Sequence, residues 1–271
     1  MRRKNKITMK CFDSHAHYYD ARFEEEMEES VDSLIDVLLS SSVSHIINVG
    51  TCADTSRLAI EQAKKHENMY TAIGVHPSDA QHVGRTLDEE LADVEGLIRD
   101  AGSKCLALGE IGLDYHYPDT DKALQHRYLD AQLTLARELD LPVVIHDRDS
   151  HEDIMSVLRA HKGVRGVLHS FSGSAEMARE VIKLGYMISF SGTLTFKNAR
   201  RPKEVAAILP RELALIETDC PYLAPHPKRG TLNHSGNLSY TNAVLAEIFG
   251  IDAEECAALT AENARRLFGI K

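Results

Sequence analysis

The residues that could do chemistry begin with two histidines near the start of the chain, in the run Asp13-Ser14-His15-Ala16-His17. Successive side chains of a strand point to opposite faces, so His15 and His17 emerge on one face, about 7 Å apart along the backbone. Two imidazoles placed in this way can bind one metal ion. The alternative is a pair of surface histidines at a strand end, and the rest of the chain bears on that choice.

Other polar residues directly follow apolar runs further along the chain. They are His76, Glu110, His146, His169 and Asp219. In a barrel of parallel strands the carboxyl ends of the strands form the active site, so these residues are expected to converge on one mouth. His15 and His17, together with these residues other than His76, supply four imidazoles and two carboxylates. Such a set suits two divalent ions bridged by a carboxylate. Mixed nitrogen and oxygen ligands are compatible with Zn²⁺, Mn²⁺ or, less readily, Mg²⁺.

The elements that must position these residues alternate regularly. Apolar runs predict strands at residues 12–17, 45–50, 70–75, 105–109, 142–146, 166–169, 186–191 and 213–219. Helical spacing predicts helices at residues 24–39, 55–66, 88–100, 121–139, 151–161, 175–184, 201–209 and 238–249, with a ninth at 253–268 as a packing cap. Eight repeats of near-continuous apolar strands favour an α/β fold, a closed (β/α)8 or TIM barrel, as a single domain over residues 1–271.

Composition restricts the class of protein. Hydrophobic residues make up 43% and charged residues 27% of the chain, which is an ordinary globular balance. No run approaches the roughly 18 apolar residues of a membrane span, and residues 1–10 are basic without the apolar segment of a signal peptide, so we expect a cytoplasmic protein with no membrane partner. The five cysteines are widely separated and form no Cys-x-x-Cys pair, which predicts reduced thiols.

The net charge bears on a nucleic-acid partner. A value of -10 argues against a broad surface that coats duplex DNA, so a nucleic acid would have to be held locally. Basic residues in the segments that leave the predicted strand ends could form such a local ring, unless they are solvated surface charges. They are Arg148, Lys197, Arg200, Arg201, Lys228 and Arg229. Phe196 and Tyr222 lie in the same segments and either stack on a base or contribute to packing.

Three further residues have two interpretations each. His76, in Gly74-Val75-His76-Pro77, is either a substrate contact or a turn residue. Glu217 lies on the same strand face as Asp219 and is expected to orient a ligand from behind rather than to bind metal. Asp114 is interpreted as a turn or ion-pair residue, with a role in the site as the less favoured interpretation.

These segments together resemble the TatD-related deoxyribonucleases, a branch of the metal-dependent hydrolase barrels, over nearly the whole chain. The motifs that carry the resemblance are Asp13-Ser14-His15-Ala16-His17, Gly74-Val75-His76-Pro77, Gly109-Glu110-Ile111-Gly112-Leu113-Asp114, Pro142-Val143-Val144-Ile145-His146, His169-Ser170-Phe171-Ser172-Gly173 and Glu217-Thr218-Asp219-Cys220-Pro221-Tyr222-Leu223. Six motifs in this order are far more specific than one His-x-His pair.

The resemblance implies a (β/α)8 fold, two divalent metal ions (Mg²⁺, Mn²⁺ or Zn²⁺) and hydrolysis of phosphodiester bonds, typically at DNA ends. It implies that one ion is bound by His15, His17 and Asp219, the other by His146 and His169, with Glu110 as the bridge. It also implies catalytic roles for Glu110 and for Asp219, which would take a proton from the attacking water. Substrate contacts are expected from His76, Arg148 and Arg229, with single-stranded DNA or a DNA end as the partner.

One departure concerns the loop after the eighth strand. Many relatives carry a basic residue just before the asparagine of this loop, whereas this chain has Leu232 before Asn233. This change is expected to affect substrate binding rather than metal binding.

Two other functions compete with the phosphodiesterase. One is a metal-dependent amidohydrolase or deaminase that acts on a small molecule. Such enzymes often bridge two ions with a carboxylated lysine, and Glu110 in that place favours the phosphodiesterase. The other is a metal-binding scaffold without turnover, which has no need for all six ligands. No motif for a particular protein partner is present.

Overall fold

Eight parallel strands form one sheet in a computed structural model that describes residues 9–82 and 84–271. The strands are β1 Cys11–Ala16, β2 Val43–Val49, β3 Met69–Ile73, β4 Cys105–Asp114, β5 Val143–Arg148, β6 Gly166–Leu168, β7 Tyr186–Phe190 and β8 Ala214–Ile216. Their spatial order is the chain order, and every named neighbour pairs in parallel. Most of the basic segment at residues 1–10 lies outside the described residues.

Helices follow the strands around the outside. They are α1 Arg22–Glu26, α2 Val31–Ser41, α3 Ala53–Lys65, α4 Leu87–Ala101, α5 Lys122–Glu138, α6 His151–Ala160, α7 Ala175–Lys183, α8 Arg200–Ile208, α9 Leu238–Phe249 and α10 Ala253–Phe268. In the described part of the chain, no helix has the length and apolar character that crossing a membrane requires.

The edges of the sheet meet between β8 and β1. Just beyond these strands, the Asp219 N–H donates to the His15 carbonyl at 2.9 Å and the His17 N–H donates to the Cys220 carbonyl at 2.8 Å. These bonds join the two edge strands, and the predicted (β/α)8 barrel is confirmed.

Inward-facing side chains lie in layers. The layer farther from the carboxyl ends of the strands, here called the lower layer, consists of apolar residues from every strand, including Val144, Val167 and Leu215. His146, His169 and Glu217 come two residues later in the chain and face the same way, because the side-chain period of a strand is two. His146 lies in β5, and His169 and Glu217 directly follow β6 and β8. The end of α10 packs against the lower layer through Leu267 and Phe268, so this apolar layer and the polar mouth occupy opposite ends of the barrel interior.

Three predicted elements have wrong boundaries. The predicted strand 213–219 ends at Ile216, so Glu217 and Asp219 follow β8 and do not share a strand face. Residues 24–39 form α1 and α2 rather than one helix, because Met27 is extended and the Ser30 side chain caps α2 by accepting from the Ser33 N–H. The predicted strand 105–109 continues to Asp114, so Glu110 lies within β4 and not at its end. A Cβ at Gly112, where φ is +152°, would clash with the His146 carbonyl, so glycine permits the close approach of β4 to β5.

Candidate metal centre

The first histidine pair, His15 and His17, lies where β1 ends. Their Nε2 atoms are 3.0 Å apart, so both rings aim the same nitrogen at one point. Asp219 Oδ1 lies 3.5 Å from His15 Nε2 and 3.3 Å from His17 Nε2. Glu110 Oε2 faces the same two atoms at 3.3 and 3.7 Å. Two imidazoles and two carboxylates therefore surround one position.

The second histidine pair, His146 and His169, comes from β5 and the end of β6. His146 Nδ1 and His169 Nε2 are 3.1 Å apart. Glu110 Oε1 lies 2.8 Å from the first and 2.9 Å from the second. One carboxylate thus turns one oxygen to each histidine pair, which is the arrangement of a bridging ligand.

For three of the four histidines, the ring nitrogen that faces away from Glu110 faces an acceptor oxygen, whereas His15 Nδ1 is buried without a hydrogen-bond partner within residues 9–82 and 84–271. His17 Nδ1 donates to the Val49 carbonyl at 2.7 Å. His169 Nδ1 lies 3.2 Å from Glu217 Oε1, and His146 Nε2 lies 3.3 Å from Asp114 Oδ2. An acceptor on the outer nitrogen favours the proton there and leaves the inner lone pair for a metal ion.

His76 has the opposite arrangement. Its Nδ1 accepts a hydrogen bond from the Ser78 N–H at 3.1 Å, so in the neutral ring the proton lies on Nε2. Burial lowers the pKa of His76 to about 3, which keeps the ring neutral. Its Nε2 is 3.5 Å from Glu110 Oε1. His76 therefore presents an N–H group to the centre, whereas a metal ligand would present a lone pair.

The pKa values of the buried carboxylates and histidines reflect two opposing effects, namely burial and the charges of neighbouring side chains. Burial alone would raise the pKa of Glu110, but the charge of His169 and the hydrogen bond from His146 hold it well below its usual value. Burial would lower the pKa of His169, and the carboxylates of Glu110 and Glu217 raise it well above the ordinary value. For Asp219, burial is likewise outweighed by the hydrogen bond from His17 and by nearby imidazoles, and its pKa is lowered.

The residues fit divalent metal ions. In each of two groups, His15 with His17 and Glu110, and Glu110 with His146 and His169, the ligating atoms lie within 4.8 Å of one another. His15 and Glu110 are 0% and 3% exposed, and such buried imidazoles and carboxylates are ordinarily paired with one another or with a metal. His76, Asp114 and His146 form another close group, but the Nε2 proton makes His76 unsuited to ligation.

The structure brings all six predicted ligands together and adds residues that the sequence interpretation underrated. Asp114, interpreted as a turn or ion-pair residue, pairs with His146 at the centre, and its carboxylate reaches that ring because β4 runs on past Glu110. Hydrogen bonds from His146 and from the His116 N–H outweigh burial and lower the pKa of Asp114 to about 2. Glu217 lies against His169, in position for the orienting role expected of it.

Asp13 was not predicted to have a role of its own. It is fully buried and accepts hydrogen bonds from the Thr218 N–H at 2.9 Å and the Thr218 hydroxyl at 2.6 Å. These bonds hold the chain segment that presents Asp219, whose φ is +57°. A carboxylate inside an apolar strand, two residues before His15, was the signal that could have identified it.

The predicted substrate residues surround a cavity at the carboxyl ends of the strands, here called the mouth. Its volume of about 1260 Å³ exceeds the roughly 300–1,000 Å³ that is typical of small-molecule sites. His76 and Arg148 line the mouth, and Arg229 stacks at 4.5 Å on the ring of Phe196, which also lines it. Leu232 packs against the apolar cluster around Tyr18 and Phe23, so its side chain serves the core.

Comparisons with known proteins agree with this geometry. A family model described as TatD related DNase matches residues 12–269. The uncharacterized metal-dependent hydrolase YabD of Bacillus subtilis is 40% identical over 261 residues, which cover 96% of this chain and 99% of YabD. The uncharacterized metal-dependent hydrolase TatD of Mycobacterium tuberculosis is 34% identical, covering 89% of this chain and 92% of its own. The crystal structure of YjjV, a TatD homolog from Escherichia coli K12, superposes with a TM-score of 0.88 at 30% identity, covering 98% and 100% of the two chains.

Proposed function

The chain belongs to the TatD-related DNase family and is a metal-dependent hydrolase, and from that premise we propose that it hydrolyses phosphodiester bonds in DNA. The reaction would release nucleotides from a single strand or a DNA end, with two divalent ions bound at the centre. Zn²⁺, Mn²⁺ and Mg²⁺ are the candidate ions, since the ligands mix nitrogen and oxygen.

The position of Glu110 is the observation that carries the proposal. Its Oε2 faces the first histidine pair and its Oε1 faces the second. His15, His17 and Asp219 would hold one ion, His146 and His169 the other, and Glu110 would bridge them. The chemistry that such ions would supply is activation of a water nucleophile and stabilisation of the charge that develops in a displacement at phosphorus.

Asp219 is proposed to take the proton from the attacking water. Its lowered pKa keeps the carboxylate ionised, and it lines the mouth with 15% of its side chain exposed. With Oδ1 turned to the first histidine pair, a carboxylate retains a second oxygen that can accept a proton. His76 is proposed to donate its Nε2–H to an anionic oxygen of the phosphoryl group, the role that its tautomer favours.

The proposed binding of DNA relies on local cations rather than on the whole surface. Arg148 lines the mouth and Arg229 stacks on its wall, while the net charge of the chain is -10. The same wall carries Arg200 and Arg201 at the start of α8. These guanidinium groups can pair with phosphates near the metal centre without a wide basic face.

The decisive experiment measures mononucleotide release from a labelled single-stranded DNA. The metal-stripped protein is assayed alone and after addition of Mg²⁺, Mn²⁺ or Zn²⁺, beside Asp219→Asn and Glu110→Ala. We expect metal-dependent release in the wild type and its loss in both variants, with Glu110→Ala also binding less metal while its circular dichroism spectrum stays native.

Absence of release with every metal would refute the phosphodiesterase, and an amide or deamination substrate would then be tested. Full activity of Glu110→Ala would refute the bridging assignment.

A further inference from the structure

Two tyrosines stand exposed at the mouth of the barrel. Among the described residues, five large apolar or aromatic side chains are exposed, namely Val37, Leu58, Tyr117, Ile208 and Tyr222. Tyr117 and Tyr222 both line the mouth, at 51% and 46% exposure. Burial of an aromatic ring is favourable, so rings left open beside a candidate active site are available to a ligand.

Tyr222 lies directly beside the first histidine pair. Its ring centroid is 6.5 Å from that of His17. The Tyr222 N–H donates to the Asp219 carbonyl at 2.9 Å, and the Tyr222 carbonyl accepts from Asn233 Nδ2 at 2.7 Å. Its hydroxyl donates to Asp20 Oδ2 at 2.6 Å. The ring is therefore held in place while nearly half of the residue stays open to the mouth.

Tyr117 lies on the other side of the same cavity. It follows β4, whereas Tyr222 follows β8, and these strands are four places apart in the eight-stranded barrel. Loops after strands four places apart face each other across the mouth, with the metal centre between them. Arg148 extends over Tyr117, with Cζ 5.9 Å from the ring centroid, and Arg22 over Tyr222 at 5.7 Å.

From this placement we propose that Tyr222 and Tyr117 stack on nucleobases on the two sides of the cleaved phosphodiester. The inference rests on the proposed function and specifies its substrate. A stacked base must leave its own helix, so the site selects a strand whose bases near the cleaved bond are unpaired. Arg148, which lines the mouth beside Tyr117, can pair with a neighbouring phosphate, and a cation beside an aromatic ring is the combination found in sites for single-stranded nucleic acids.

The size of the cavity agrees with this substrate. The mouth is larger than a typical small-molecule site, so it has room for more than one nucleotide. Its aromatic contacts are with the faces of rings, which every base offers, so the proposal predicts weak dependence on base sequence.

Binding measurements test the proposal without relying on turnover. The metal-loaded protein is titrated with fluorescent single-stranded DNA whose phosphorothioate linkages slow hydrolysis, with the same strand lacking its bases, and with a blunt duplex. Fluorescence anisotropy gives the dissociation constants. The variants are Tyr222→Ala, Tyr222→Phe and Tyr117→Ala, with Leu58→Ala as the control for loss of an exposed apolar side chain away from the mouth.

We expect Tyr222→Ala and Tyr117→Ala each to bind the intact strand about tenfold more weakly, while Tyr222→Phe stays within about twofold because the ring is retained. The abasic strand should bind the wild type and both alanine variants alike, and the duplex should bind more weakly than the single strand. Leu58→Ala should match the wild type on every probe.

Unchanged affinity of both alanine variants for the intact strand would overturn the proposal. An equal loss on the intact and abasic strands would also overturn it, because the tyrosines would then act on the backbone or through His17. If the base-dependent loss is found but the wild type releases no nucleotide with any metal, the stacking sites stand and the proposed hydrolysis fails.

Discussion

At the scale of single residues, the histidines of the mouth differ in what their outer nitrogen meets. His17, His146 and His169 each face an acceptor there, namely a carbonyl or a carboxylate oxygen. His76 instead accepts from a backbone N–H. Identical side chains within one cavity are thereby given opposite roles, because a neutral imidazole has one donor and one acceptor nitrogen. The ligand and donor roles themselves remain predictions.

A pH dependence of metal binding is expected at this scale. Burial would lower the pKa values of His17, His146 and His169, but contacts with Asp219, Asp114, Glu110 and Glu217 raise all three above the ordinary 6.5. Without metal these rings therefore keep their protons to higher pH, and a metal ion must displace them. Metal affinity should fall as pH falls, and it should still be rising with pH above 6.5.

Calorimetric titration with Mn²⁺ at several pH values measures this dependence. Repeating each titration in two buffers of different ionisation enthalpy counts the protons released on binding. Equal affinity and no proton release across neutral pH would contradict the predicted protonation of the histidine pairs.

At the scale of elements, the apolar residues that stabilise the barrel lie apart from the residues of the candidate metal centre. Strands β5, β6 and β8 each place an apolar residue in the lower layer. A polar residue two positions later in the chain, within β5 or just past the end of β6 or β8, reaches the centre. The end of α10 packs against the lower layer, far from the mouth. Substitutions in α10 should therefore change the stability of the fold and leave the metal centre intact.

Phe268→Ala tests this separation. Phe268 is 4% exposed and stacks on Phe12 with ring centroids 6.1 Å apart. Its truncation should lower the free energy of unfolding by about 3–5 kcal/mol, measured in urea. The metal content of the folded protein should not change. Val37→Ala, at a position that is 59% exposed, is the matched control and should cost less than about 0.5 kcal/mol. Loss of metal from Phe268→Ala without loss of stability would contradict the separation.

At the scale of the whole molecule, the charge distribution restricts how DNA can be held. The chain carries -10 net charges, and the cations of the mouth are few. Phosphate contacts by the four arginines at the mouth would neutralise about four phosphates, whereas proteins that coat duplex DNA neutralise many more. Binding should therefore depend on salt only moderately.

The salt dependence of single-strand binding measures this number. A plot of log affinity against log salt concentration should have a slope of about -3, since each of about four neutralised phosphates contributes about -0.7. Arg229→Ala should reduce the magnitude of the slope by about 0.7 if Arg229 contacts one phosphate. A slope much steeper than about -4 would indicate a wider basic surface than the proposal allows.

The sequence by itself was sufficient to predict the fold and to predict that six polar residues converge at one end of it. The apolar runs and their alternation with helices are local signals, and parallel strands bring their carboxyl ends to one edge. His15, His17, His146, His169 and Asp219 follow apolar strand residues, so their common location could be predicted without any long-range contact. The family was likewise recognisable from six ordered motifs, and the comparisons confirm it.

Only the tertiary structure decided how these residues are oriented. Glu110 turns one oxygen to each histidine pair from within β4, which continues to Asp114 with Gly112 pressed against β5. The partners that select each ring's tautomer come from separate segments, as Asp114 does for His146 and Ser78 for His76. The inward packing of Leu232 and the exposure of Tyr222 depend in the same way on neighbours distant in the chain. Spacing along the chain predicts which end of a strand a residue reaches, whereas a hydrogen-bond partner depends on the packing of several segments together.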